Sequence, residues 1–171
     1  MKTDLDELFD VVDEQDRVVG QERREVVHRD MLFHRAVHVW MFDDEGRLLL
    51  QLRSEQKDQY PSTWTSSASG HLDAGESYDH AAARELREEL GVDLPIREAL
   101  RLPGSPQTLY EFTRLYLTEF SGDLFPAGDE ISEVRWWAVE ELQQATLNEP
   151  SDFSPPLLSL IQAFDFNAER A

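Results

Sequence analysis

Residues 70–92 read GHLDAGESYDHAAARELREELGV. Ser77 suits the N-cap of a helix, Ala81 to Leu90 consists almost wholly of strong helix formers, and Gly91 stands where a glycine ends one. The segment is therefore expected to be helical over Ser77–Leu90. At about 100° per residue, Glu85, Glu88 and Glu89 share one stripe, and Ala82, Ala83, Leu86 and Leu90 form the apolar stripe beside it. One face anchors the helix and the next gathers three carboxylates. Like charges at this spacing repel by a few tenths of a kcal/mol per pair. The stripe reads either as a solvated helix face or as a platform for a hard cation such as Mg²⁺ or Mn²⁺, which completes its shell with water and substrate phosphates.

The flanking residues decide between these. Gly70, Glu76, Arg84, Glu85, Leu86, Glu88, Glu89, Gly91 and Val92 fill all nine fixed positions of the Nudix box, G-x5-E-x7-R-E-U-x-E-E-x-G-U with U aliphatic. Residue frequencies put a chance match on the order of 10⁻⁷. The chain thereby resembles the Nudix hydrolases, which cleave the pyrophosphate link of nucleoside diphosphates joined to another group. The resemblance implies an α/β fold, an α/β/α sandwich with a mixed sheet, as a single domain over residues 1–171 with the box as loop, helix and loop at one edge. It also implies roles: Glu85, Glu88, Glu89 and the Gly70 carbonyl hold metal, and Glu76 pairs with Arg84 to brace loop against helix. The general base comes from Glu85 or Glu89 in the box or from Glu130 in a later loop, Glu111 being the other outside candidate.

A second resemblance lies upstream. His28, His34 and the run WTSSASGH at residues 64–71 are similar to type I isopentenyl diphosphate isomerase, a relative on the same fold. That family places a catalytic cysteine just before Gly-His, where this chain has Ser69. Its metal site draws on two N-terminal histidines, the histidine of Gly-His and two glutamates two residues apart. His71, His34 and Glu111 match, His28 matches with a shift of one residue, and Leu109 replaces the first glutamate. The missing thiol and the complete box both favour hydrolysis over isomerisation, leaving a second metal site at His28, His34, His71 and Glu111. A third reading, a domain that binds a nucleotide without turnover, has no need of the intact carboxylates.

The net charge of −19 over 171 residues repels phosphate backbones and anionic membranes, so the expected partner is a small nucleotide or other diphosphate, not a nucleic acid polymer or a membrane. The absence of cysteine excludes disulfides, thiolate catalysis and cysteine zinc sites. No basic start precedes an apolar run and no stretch approaches ~18 apolar residues, so a cytoplasmic location is expected. Nothing in the spacing sets the oligomeric state or the group selected.

Outside the box, alternation and turn residues predict a hairpin of Leu8–Val12 with Val18–Gly20, and strands at Leu32–Phe42, Arg47–Arg53 and Thr108–Phe120. Further strands are expected within Val92–Arg101 and at Val134–Val139, with Trp64–Ser69 extended. Helices are expected from Glu140 and from Ser154 to Phe164. Met1–Glu7 reads as loosely ordered and Ser121–Glu130 as a mobile loop. Trp40, Trp64, Tyr110, Phe112 and Trp136 can stack a nucleobase, though packing is the favoured reading.

Overall fold

A computed structural model describes residues 7–168, so the expectation for Met1–Glu7 lies, Glu7 apart, outside the described residues. The strand His34–Phe42 (β3) is the hub, almost wholly buried because both of its faces are covered. It pairs in parallel with Glu111–Glu119 (β8) and antiparallel with Ala68–His71 (β6), and it turns through Asp43–Gly46 into Leu48–Arg53 (β4). Beyond β4 lie Trp64–Thr65 (β5) and Ile131–Trp137 (β9), and beyond β8 lies Arg97–Leu102 (β7), completing a mixed seven-stranded sheet.

Alternation along β3 sends Val37, Val39 and Met41 into one core and Trp40 into another. The first core is closed by the box helix, Tyr78–Leu90 (α2), through Ala81, Ala82, Leu86 and Leu90. Each of the two leucines contributes roughly 1.5–3 kcal/mol by burial. The second is closed by Val139–Asn148 (α3) and Pro155–Ala163 (α4), giving the expected α/β/α layering. Among the described residues no helix is long and apolar enough to cross a membrane.

Ser77 caps α2 by accepting the His80 N–H, and Gly91 ends it in the left-handed conformation at φ 71°. Ala81 takes the buried place expected of Ala83, which is only half-buried. Three readings change, and the charged segment 21–30 adds a helix, Arg24–Arg29 (α1), held by buried Val27. The β8 strand starts at Glu111, not Thr108, because Pro106–Thr108 is a 3₁₀ turn and Leu109 and Tyr110 are left-handed, at φ 53° and 64°. The β9 strand runs from Ile131 because Val139 already begins α3. The loop 121–130 is anchored rather than free: the N–H groups of Phe125 and Ala127 donate to the carbonyls of Leu90 and Glu89, satisfying acceptors at the end of α2.

The hairpin forms from Leu8–Val12 (β1) and Val18–Arg23 (β2) and clamps the box loop. Ala74 N–H donates to the Leu8 carbonyl and Gly75 N–H to the buried Asp10 carboxylate. The aromatic residues are packing residues: Trp40 is fully buried against Phe166, Trp64 meets Trp137, and Tyr110 and Phe112 meet Phe33. Trp136 packs against the first core.

Candidate active site

Strand register assembles the site. His34 sits opposite Glu111 in the β3–β8 pair, while Ala36 faces His71 and His38 faces Ser69 in the β3–β6 pair. Residues opposite one another share a face, so these side chains converge at one end of the sheet. There they meet the carboxylates of α2 in a polar cleft of about 160 Å³. A larger cavity of about 660 Å³ lies at the other end of β3, beside Phe42, Phe164 and Phe166, and holds none of the expected site residues.

Glu76 and Arg84 form a two-pronged pair, with both N···O distances 2.9 Å, and Arg84 also donates to the His71 carbonyl at 3.0 Å. The same guanidinium reaches Glu85 at 2.6 Å and Glu88 at 3.1 Å, contacts that the box pattern did not foretell. Burial works against its charge, but the bond to Glu76 and the charges of Glu85 and Glu76 outweigh that and hold it protonated.

The three carboxylates differ in exposure. Glu88 is exposed, whereas Glu85 and Glu89 are buried. Burial, reinforced by Glu89 and opposed by Arg84, raises the Glu85 carboxyl well above the usual range. Burial pushes Glu89 up to about 7, although the Ser69 N–H at 2.9 Å and the Gln51 amide at 2.7 Å both donate to it. Glu130 stands at the cleft and accepts from Lys57 at 2.7 Å. Crowded, partly buried carboxylates whose proton affinity is raised fit a hard divalent cation, which relieves their repulsion.

Gly70 answers to this packing and not to a positive φ. A Cβ there would lie 2.1 Å from Glu85 Oε1 and 2.3 Å from its Cδ. At Gly91, by contrast, φ is 71° and Phe125 also crowds the position. Gly70→Ala is therefore expected to displace the Glu85 carboxylate, lowering turnover by ~100-fold and stability by ~1–3 kcal/mol, as read from kinetics and thermal melts.

The second expected cluster also comes together. His28, His34 and His71 present ring nitrogens within 4.8 Å of one another, and Glu111 lies 2.9 Å from His71 and 3.7 Å from His34. His34 uses Nδ1 to donate to the Leu32 carbonyl, so its Nε2 carries a lone pair. Among the described residues neither that atom nor His28 Nε2 has a hydrogen-bond partner. Burial first, then the neighbouring imidazoles, pushes His28 down to about 3, and burial also lowers His71. Burial opposes the Glu111 charge, but His34 and His71 outweigh it and hold the carboxyl below the usual range. Leu109 is half-exposed in the left-handed turn ahead of β8, outside the cluster.

Motif spacing missed Gln51 and the cations of the cleft. Arg24 is held by Glu7 and Asp58, each at 2.9 Å. Arg53 donates Nε to the Gln59 carbonyl, and among the described residues no carboxylate pairs with it. Burial lowers its proton affinity. A signal was available: cations four residues apart, Arg53 and Lys57, leave a strand in a chain with only 16 lysines and arginines.

Comparison with known proteins identifies the family. The NUDIX domain family model matches residues 32–156. An isopentenyl-diphosphate Delta-isomerase of Serratia proteamaculans is 31% identical over 169 residues, 95% of this chain and 94% of that protein. A prenyl-diphosphate phosphatase of Methanosarcina mazei is 32% identical over 172 residues, 95% and 98% of the two chains. The crystal structure of DR0079 from Deinococcus radiodurans superposes with a TM-score of 0.81 at 27% identity, covering 91% of this chain and 98% of that one. With the family model spanning most of the chain and the box complete, the chain belongs to the Nudix family and is a pyrophosphohydrolase of it.

Proposed function

We propose that this protein uses Mg²⁺, or Mn²⁺, to hydrolyse the pyrophosphate bond of a small diphosphate, the groups in view being nucleoside di- and triphosphates with their conjugates and prenyl diphosphates. The observation that carries the reading is one small polar cleft shared by the box carboxylates and Arg53, a half-buried cation that forms no ion pair with a carboxylate among the described residues. Glu85, Glu88, Glu89 and the Gly70 carbonyl would hold the ion, which when bound supplies neutralisation of phosphate charge and orientation of water. Arg53 and Lys57 bind phosphate oxygens. Glu89 is our choice of proton acceptor for the attacking water, because Gln51 and Ser69 fix its position in the cleft and among the described residues no cation is paired with it. Glu85 is engaged by Arg84, and Glu130 by Lys57.

The substrate reading leans to the non-nucleoside group. None of Trp40, Trp64, Tyr110, Phe112 and Trp136 lines the cleft, where Tyr60 is the aromatic residue among the lining residues, and the M. mazei relative is named a prenyl-diphosphate phosphatase. Isomerisation is the alternative, favoured by the S. proteamaculans relative and disfavoured by Ser69, which has no thiol and gives its N–H to Glu89. Ser69→Ala is expected to keep hydrolysis, and loss of it would show that the serine has been misread. We also assign a second divalent ion to His28, His34, His71 and Glu111; metal analysis should find one ion fewer in His71→Ala than in the parent, and equal content would refute it.

A panel of nucleoside phosphates, nucleoside diphosphate conjugates and prenyl diphosphates, followed by ³¹P NMR, tests the reading. Inorganic phosphate or a monophosphate product is expected. Double-bond migration without phosphorus release, or saturable binding without any product, would overturn it.

A further inference from the structure

Among the cleft residues outside these roles are Tyr60 and His38. Tyr60 Oη is buried and, among the described residues, has no hydrogen-bond partner. Its backbone is left-handed at φ 49°, as is that of Ser62 at 58°, a conformation that bulky residues adopt only when their surroundings impose it. The imposition comes from both sides of the loop. Arg53 N–H donates to the Thr63 carbonyl, Ser62 N–H to the Arg53 carbonyl, and Thr63 Oγ1 to the Tyr60 carbonyl at 2.8 Å. A strained loop thus holds a hydroxyl in a polar cleft where the protein offers it nothing to bind.

His38 is buried, and its hydrogen bonds fix its tautomer. Ser66 Oγ is fully buried and accepts the Trp40 indole N–H at 2.9 Å, with His38 Nδ1 at 2.7 Å. The hydroxyl proton needs an acceptor, and Nδ1 is the one within reach. Ser66 therefore donates to Nδ1, which places the imidazole proton on Nε2.

Both residues line the same cleft as Arg53 and Glu111. Burial, with Glu111, raises the Tyr60 hydroxyl to about 12, and burial lowers His38 to about 4. Each is then an uncharged donor across the working pH range. Water would satisfy two neutral donors but would give the Arg53 guanidinium no ion pair, which it lacks among the described residues, whereas an anionic oxygen satisfies all three.

We propose that Tyr60 Oη–H and His38 Nε2–H donate to a phosphate oxygen of the bound diphosphate, completing with Arg53 an anion cradle on the strained 53–63 loop. This rests on the diphosphate reading above. The test is calorimetric binding of methylenediphosphonate, a diphosphate mimic that resists hydrolysis, with Mg²⁺ present. Tyr60→Phe keeps the ring and removes the hydroxyl, so it should weaken binding by about tenfold. Its melting temperature should stay level or rise, because the lost hydroxyl had no partner in the free protein. His38→Gln retains an N–H donor and should weaken binding less than His38→Leu. Binding by Tyr60→Phe within twofold of the parent, a fall in its melting temperature, or a parent that does not bind the mimic would overturn the proposal. Saturable binding by the parent without any phosphorus-containing product from the substrate panel would instead remove the hydrolytic reading while leaving the binding result intact.

Discussion

Glu89→Gln is expected to lower kcat by about 10²–10³-fold and to raise the melting temperature of the metal-free protein. The activity loss follows from removing both a metal ligand and the chosen proton acceptor. The gain in stability follows from burial. Because folding raises the Glu89 carboxyl from the ordinary range to about 7, its contribution to stability is fully present below that range and is lost as pH rises through 7. Glutamine keeps an acceptor for the Ser69 and Gln51 N–H groups and carries no charge. The melting temperature of the metal-free parent should therefore depend on pH between about 4.5 and 7 more steeply than that of the variant. Glu88→Gln should match the loss of turnover without the stabilisation, because Glu88 is exposed. Near-normal rates in either variant would remove the metal assignment.

Arg84→Ala has the largest expected effect on folding, about 3–5 kcal/mol, or ~6–20 °C in melting temperature. Its guanidinium ties Glu76 and the His71 carbonyl to Glu85 and Glu88, so its loss removes the forked bond to Glu76, which keeps the Asp73 N–H and His80, and leaves Glu85 with Glu89 as a near neighbour of like charge. Lysine should rescue little, since one ammonium cannot reproduce the forked bond to both Glu76 oxygens. Saturating Mg²⁺ should recover the part owed to Glu85 and leave the part owed to Glu76. A melting temperature within about 2 °C of the parent would show that the pair is incidental.

The box could be read from sequence because its chemistry is local: Ser77, Gly91 and the spacing of Glu85, Glu88 and Glu89 all act within a few helical turns. The upstream histidines and Glu111 could be gathered only by resemblance. What brings them together is the parallel register that sets His34 opposite Glu111, which belongs to the sheet and to no short stretch of chain. Thr108 to Tyr110 misled for a related reason, since apolar alternation continues through Leu109 while the backbone there is left-handed. Arg53, Tyr60 and His38 carried no motif at all. Their relevance comes from what the folded chain leaves unpaired around them.

The carboxylate platform itself is tested most directly by calorimetric titration of Mn²⁺ into the metal-free parent and into a protein carrying both Glu88→Gln and Glu89→Gln. The parent should bind an ion at pH 8, with affinity falling about tenfold per pH unit below 7 as Glu89 takes up its proton. The double variant should lose that ion and retain only what the histidine cluster holds. Equal binding by the two proteins, or no binding by the parent at pH 8, would contradict the account.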